Sequence, residues 1–348
     1  MKNILFKIII PLLLVFITSC YTENFSVYVQ TDDMERIEIE VLKPAQENIP
    51  LHLYNMALIF SSDISPETVV RFQNETQKSK IIEKYNAYAE GQVANYLHDI
   101  INESPKFNIV NKEFMTENIY SGDIVNWKRA RFICDSLQTE GILFVKDFET
   151  VIAIYEKNLF GYPYYRSEYK YAFRYIPGMI VEILDPYNME VTDQQRIQEP
   201  RYWETYNSFE INPTNFFQEQ SDLLAITNKQ TALKYAKKIT PFWDKESRKF
   251  YAKGNSDFVK AEKYLRSDNW QEARIRWVIY SGSERRKYAN YANYNLALAY
   301  EMEGNLEKAL YHANYSYAKY NNYYAGEYAR ILENRIKDQE ILKKQLGE

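Results

Sequence analysis

The chain has 348 residues, enough for about two domains that each bury a core. Its 46% hydrophobic and 26% charged residues exclude a disordered or polytopic membrane chain, and a formal charge of −4 argues against nucleic acid as a partner. With 2 Cys and 3 His, a disulfide framework and a Cys/His zinc site are excluded as well.

Lys2 and Lys7 flank an apolar run over 8–17 that only Pro11 interrupts. The run falls short of the roughly 20 apolar residues of a spanning helix, and polar residues follow it, so 1–19 reads as a secretory signal. Ile17, Thr18, Ser19 and Cys20 resemble the lipobox of bacterial lipoproteins. That resemblance implies acylation of the Cys20 thiol, cleavage in front of it, and a mature chain attached to a membrane of the cell envelope, the outer membrane by expectation, with 20–36 as tether. The membrane face it occupies stays open. Cys134 then has no intrachain partner; on the helical stripe Trp127, Ala130, Cys134, Leu137 it reads as a buried, inert thiol.

An α/β domain is expected over 37–245. Ile37, Ile39 and Val41 alternate with Glu38 and Glu40 as in a strand with one wet face, and NMALIFS over 55–61 is an apolar run of strand length. The polar stretch 62–80 reads as a loop. Ile82, Tyr85, Ala89, Val93, Tyr96, Leu97, Ile100 and Ile101 then follow helical spacing up to Pro105, and 107–110 makes a short strand. A helix over 127–137 and a long strand over 142–154 come next. Residues 155–171 are aromatic and turn-rich, as at the tip of a hairpin; strands over 171–184 and 189–197 and a helix over 221–238 complete a mixed sheet with helices.

The last hundred residues are helical and repeat. A shift of 36 aligns Ala261 with Ala297, Tyr264 with Tyr300, Asn269 with Asn305 and Ala273 with Ala309. The second copy, with Leu296, Ala297, Tyr300, Gly304 and Ala309, resembles the tetratricopeptide repeat, whose period is about 34. The first copy departs from it at Lys260 and Asp268. An all-α domain of this kind is therefore expected over 250–348, closed by a long polar helix over 324–346.

Patterns for catalysis and phosphate binding are absent: no HExxH, GxSxG, Walker loop, GxGxxG after a strand, or CxxC. His52, His98 and His312 lie far apart and read as surface or packing residues. Asp147 and Glu149 share one side of a strand, where acids on a wet face are commoner than an acid/base pair. No catalytic residue, cofactor or metal is therefore assigned, and no enzyme activity is expected. Among the 32 tyrosines, the tip residues Tyr162, Tyr164, Tyr165 and the repeat residues Tyr288, Tyr291, Tyr294 are candidate recognition surfaces, against a background of general Tyr, Asn, Lys and Ile enrichment.

The lipobox, the segments "IEIEVLKPA", "MALIFSS" and "ITPFWDKESRKFY", and the closing repeats together resemble an uncharacterised family of Bacteroidota lipoproteins that carry a domain of unknown function. The first domain also resembles the α/β domain of curli-secretion-type and penicillin-binding-protein-activator lipoproteins. The expected function is a non-catalytic, lipid-anchored adaptor whose repeats bind an envelope protein. The rival is an envelope glycan-binding protein or hydrolase with its site at the aromatic hairpin.

Overall fold

The computed structural model describes residues 33–61, 75–110, 115–158, 169–207 and 220–348; Cys20 and the hairpin tip with Tyr162, Tyr164 and Tyr165 lie outside them. The protein is mixed α+β, with an N-terminal sheet region and a C-terminal all-helical region. By contact density it divides into a sheet unit, Glu40–Glu246 with Glu333–Glu348, and a helical unit, the described residues up to Ile39 with Ser247–Leu332.

In the sheet unit, strand β2 (Asn55–Ser61) buries Met56, Ala57, Leu58, Ile59 and Phe60 in succession, as a strand covered on both faces must. It pairs in parallel with β7 (Gly141–Asn158), β3 (Asn108–Ile109) and β4 (Met115–Glu117). From β7 the chain returns as the antiparallel β8 (Tyr169–Asp185), in register from Ile142 opposite Leu184 to Asn158 opposite Tyr169. One half of β8 pairs on its far side with β9 (Glu190–Gln198), the other with β10 (Arg201–Asn207), while β5 (Tyr120–Ser121) and β6 (Ile124–Val125) form a small hairpin. Helices α1 (Glu75–Asn102) and α3 (Ser221–Ile239) cover one face, where Val93, Leu97, Ile101, Leu224, Tyr235 and Ile239 meet Phe60, Phe148, Tyr175 and Met179. Helix α2 (Trp127–Leu137) covers part of the other with Ala130, Ile133 and Cys134. Cys134 is fully buried, which pushes its thiol up to about 11 and makes it inert.

The fold differs from the sequence expectation at several elements, among them β4, β5 and β6, which fall in a stretch given no element. Helix α1 begins at Glu75, inside the stretch read as a loop: ETQKSK has helix-forming residues but no apolar stripe, so propensity rather than periodicity carries its first turns. Strand β10 takes a segment left without an element. The segment "ITPFWDKESRKFY", to which no element was given, holds β11 (Phe242–Tyr251), which pairs with β1 (Met34–Lys43) as a separate two-stranded sheet.

The helical unit stacks α4 (Ser256–Arg266), α5 (Trp270–Ser281), α6 (Arg286–Met302), α7 (Leu306–Tyr320) and the start of α8 (Tyr323–Leu346). Its 36-residue register holds at the level of the backbone. Asn269 and Asn305 cap α5 and α7 through the same bond, each Oδ1 accepting the amide three residues on at 3.2 Å. The preceding residues, Asp268 and Gly304, both turn left-handed at φ 60° and 75°. Gly304 adopts that conformation without a side-chain penalty, whereas Asp268 is one of the few residue types that tolerates it. Ala261, Ala297, Ala273 and Ala309 are all fully buried, so helices meet closely at the aligned small residues.

Ala309→Leu is accordingly expected to destabilise the helical unit by about 1–3 kcal/mol, the usual cost of forcing methylenes into a close helix contact. Lys308→Leu, one residue earlier and exposed, should stay within about 0.5 kcal/mol. Denaturant melts of the two variants check the register; equal midpoints would refute it.

Candidate functional site

Of the three repeat tyrosines, two are corrected by the structure. Tyr291 and Tyr294 are only 2% and 3% exposed: α6 packs against both α5 and α7 and has little outward face to offer. Tyr291 stacks on Tyr251 at 3.7 Å between ring centroids and donates its hydroxyl to Asp33 Oδ2 at 2.8 Å, while Tyr294 meets Tyr251 edge-on. These rings hold the core together. Tyr288 keeps partial exposure and packs against Tyr280 and Phe258.

The histidines do not converge on one site. His52 Nε2 donates to the buried Asp185 Oδ2 at 2.7 Å, and His98 Nδ1 donates to Asp99 Oδ1 at 3.0 Å. His312 stacks on Tyr300 and donates Nδ1–H to Asn293 Oδ1 at 2.9 Å; burial lowers its pKa, so the neutral ring is favoured. Among the described residues, no cluster of three His, Cys, Asp or Glu is placed to hold a metal.

Asp147 and Glu149 do share a face of β7, opposite Ile180 and Gly178. Glu149, however, accepts from Arg196 Nη2 at 2.7 Å and from Gln198 Nε2 at 3.1 Å, so it is the acid of an ion pair. Gly178 makes room for this lattice, since a Cβ there would press on Gln198 Cγ at 3.1 Å and Glu149 Cγ at 3.3 Å. One step along the sheet, the register shift between Val145 and Asp147 sets Lys146 apart as a bulge residue. Its ammonium sits 4.1 Å from the Tyr120 ring centroid and 3.3 Å from Glu182 Oε1. Buried Glu182 also accepts from Gln194 Nε2 at 2.8 Å and from the Tyr120 hydroxyl, whose pKa burial and that carboxylate push up. A buried carboxylate with three donors is fully satisfied, and it ties Tyr120, Lys146 and Gln194 to the sheet face.

The surface with open binding capacity lies on the second helices of the helical unit. On α5, Ala273 and Trp277 face the core, while Ile275, Val278 and Ile279 form an i, i+3, i+4 stripe that is 45%, 46% and 63% exposed. The register carries Ile275 onto Tyr311 and Ile279 onto Tyr315 of α7, which are exposed and half-buried respectively. Tyr311 and Tyr315 stack at 6.1 Å. Where α5 begins, a cleft of about 580 Å³ opens between Trp270, Gln271, Arg274 and the end of α6 at Met302 and Glu303. Arg274 Nε donates to Glu303 Oε1 at 2.6 Å across it, and Trp270 Nε1 donates to Asp268 Oδ1 at 2.5 Å. Such a surface offers an aromatic face, apolar cover and paired donors and acceptors, which suits binding. Sequence reasoning missed it because it sought tyrosines; the signal was a helix apolar on two sides, one stripe more than a core requires.

Comparisons with known proteins add the family. Solved structures with some likeness include a candidate neuraminyllactose-binding hemagglutinin homolog from Helicobacter pylori, at 10% identity over 65% of this chain and 95% of that one, with a TM-score of 0.28. A PelC dodecamer from Paraburkholderia phytofirmans matches at 7% identity over 59% of this chain and 98% of that one, with a TM-score of 0.20. No curated protein matches. A domain of unknown function, DUF6340, matches residues 259–337, within the helical stretch. A second domain of unknown function, DUF8603, matches residues 58–251, more than half of the chain, and the protein belongs to the DUF8603 family.

Proposed function

We propose that the protein is a non-catalytic, lipid-anchored lipoprotein of the cell envelope that acts as a protein-binding adaptor through repeats of the tetratricopeptide type. The observation that supports it most is the exposed stripe of Ile275, Val278 and Ile279, continued in register by Tyr311. Single exposed apolar residues are ordinary, but a helical row beside a cleft is the signature of a protein contact. The 36-residue register, with its left-handed turns and buried alanines, supports the repeat type, and the mixed sheet with α1 and α3 on one face is compatible with a domain of the curli-secretion kind. No helix among the described residues is long and apolar enough to cross a membrane, and the anchor in this reading is the acylated Cys20.

Two measurements test the reading. Cys20→Ser is expected to abolish labelling by a fatty-acid probe and to release the protein from sedimented membranes; retained labelling would refute the anchor. Cross-linking in intact membranes should give a discrete adduct that Ile275→Glu with Ile279→Glu abolishes. Persistence of the adduct in that folded double variant would remove the stripe from the binding surface.

A further inference from the structure

The chain enters the described structure at Asp33, and the residues that hold it there define one end of the helical unit. Lys287 Nζ lies 2.9 Å from Asp33 Oδ2, and the Tyr291 hydroxyl reaches the same oxygen. Lys287 belongs to the run Arg285, Arg286, Lys287 at the start of α6, all three exposed. Because α6 and α7 run antiparallel, the end of α7 meets that start: Arg286 Nη2 donates to the Lys319 carbonyl at 3.2 Å. Tyrosines fill the gaps between these cations. The Arg286 guanidinium lies 5.8 Å from the Tyr320 ring, Lys319 lies 5.0 Å from Tyr315, and Tyr317 stands half exposed over Gly326, where any Cβ would strike its ring. Glu284 is the acid of the same turn, and Asp33 is occupied by Lys287.

We propose that this end, with Arg285, Arg286 and Lys319 among tyrosines, is a membrane-contact surface that docks on anionic phospholipid headgroups. The inference rests on the lipid-anchor reading for its geometry. From Cys20 to Asp33 the tether spans at most about 45 Å when extended and about 20 Å as a flexible coil. The end through which the tether leaves is therefore the end held nearest the bilayer. Basic side chains within a Debye length of an anionic leaflet are attracted to it, and an exposed tyrosine such as Tyr317 settles at headgroup level with the ring in the apolar boundary and the hydroxyl wet, while buried Tyr320 only backs Arg286. The overall charge of −4 opposes such docking away from clusters of cations, and among such clusters the tether favours this one.

Residues 21–348 keep every described residue and lack the acylated cysteine, so the surface can be measured without the anchor. The probe is vesicles of phosphatidylcholine alone or mixed with phosphatidylglycerol, at low salt. The chain should partition onto the anionic vesicles and not the neutral ones. Loss of these three cations should weaken partitioning on the order of 100-fold, about fivefold for each, and the reversals Arg285→Glu, Arg286→Glu and Lys319→Glu together should weaken it further. The milder Arg285→Gln, Arg286→Gln, Lys319→Gln set gives the same direction if the reversal disturbs folding. Lys128→Glu, Lys229→Glu and Lys260→Glu, exposed residues elsewhere with the same charge change, should weaken it far less. Equal partitioning on both vesicle types, or equal weakening by the two reversal sets, overturns the proposal. Fatty-acid labelling of the full chain at Cys20 is read separately, so a failed anchor and a failed surface give different results.

Discussion

Glu301→Ala is expected to lower the stability of the helical unit by about 3–5 kcal/mol, the usual cost of removing one member of a buried ion pair. The Arg248 and Glu301 side chains are 5% and 0% exposed and meet in two parallel bonds, Nε to Oε2 at 3.0 Å and Nη2 to Oε1 at 2.9 Å. The hydroxyl of buried Tyr328 also donates to Glu301 Oε2. Truncation removes the carboxylate that the guanidinium and the phenol share in the core, and most of the cost comes from the buried cation losing the counter-charge of Glu301. The pair itself adds little beyond an apolar replacement, so Arg248→Met with Glu301→Leu should recover most of the loss. Urea midpoints of the single and double variants measure both effects, and a double variant as unstable as Glu301→Ala would show that the pair is net stabilising.

Lys106→Met should act in the opposite direction, raising stability at pH 7 by about 2–3 kcal/mol. Lys106 follows α1 and is buried, and its Nζ has no hydrogen-bond partner; the nearest favourable contact is the Phe107 ring at 5.0 Å. Desolvation alone pushes its pKa down to about 8 from the unfolded value of 10.5. Between these two values the unfolded chain holds a proton that the folded chain has released, so stability rises with pH through that window. Below pH 8 both states are protonated and the full penalty of the buried charge remains, at 1.36 kcal/mol per pKa step. The wild-type chain should therefore gain stability from pH 8 to 10.5, and the Met variant should lose that gain. A variant with an unchanged pH profile would place the ammonium in water.

The part of the fold visible in the sequence is the part set by short-range periodicity. Helix α2 runs from Trp127 to Leu137 as its apolar spacing requires, and α3 and the β7–β8 hairpin follow their patterns to within a few residues. The 36-residue shift was legible for the same reason, because Asn269 and Asn305 act through bonds to their own next turn. Propensity without periodicity hid the start of α1, and β10 and β11 were hidden because a polar strand is recognised by its partner across the sheet and not by its own pattern.

By itself, then, the sequence determined the mixed α+β class, the order of the periodic elements, the duplication of the helix pair and the inert place of Cys134. Which tyrosines face outward was decided by the tertiary structure alone. Tyr291 and Tyr294 look the same in sequence as Tyr311 and Tyr317, but α6 has a helix on either side and α7 leaves one flank to solvent. Burial is a property of the neighbours that a helix acquires, and those neighbours come from residues far away in the chain: Tyr251 for Tyr291, Arg248 for Glu301 and Lys319 for Arg286. The apolar row on α5 became a surface for the same reason, since Ala273 and Trp277 had already filled the space that the core allowed.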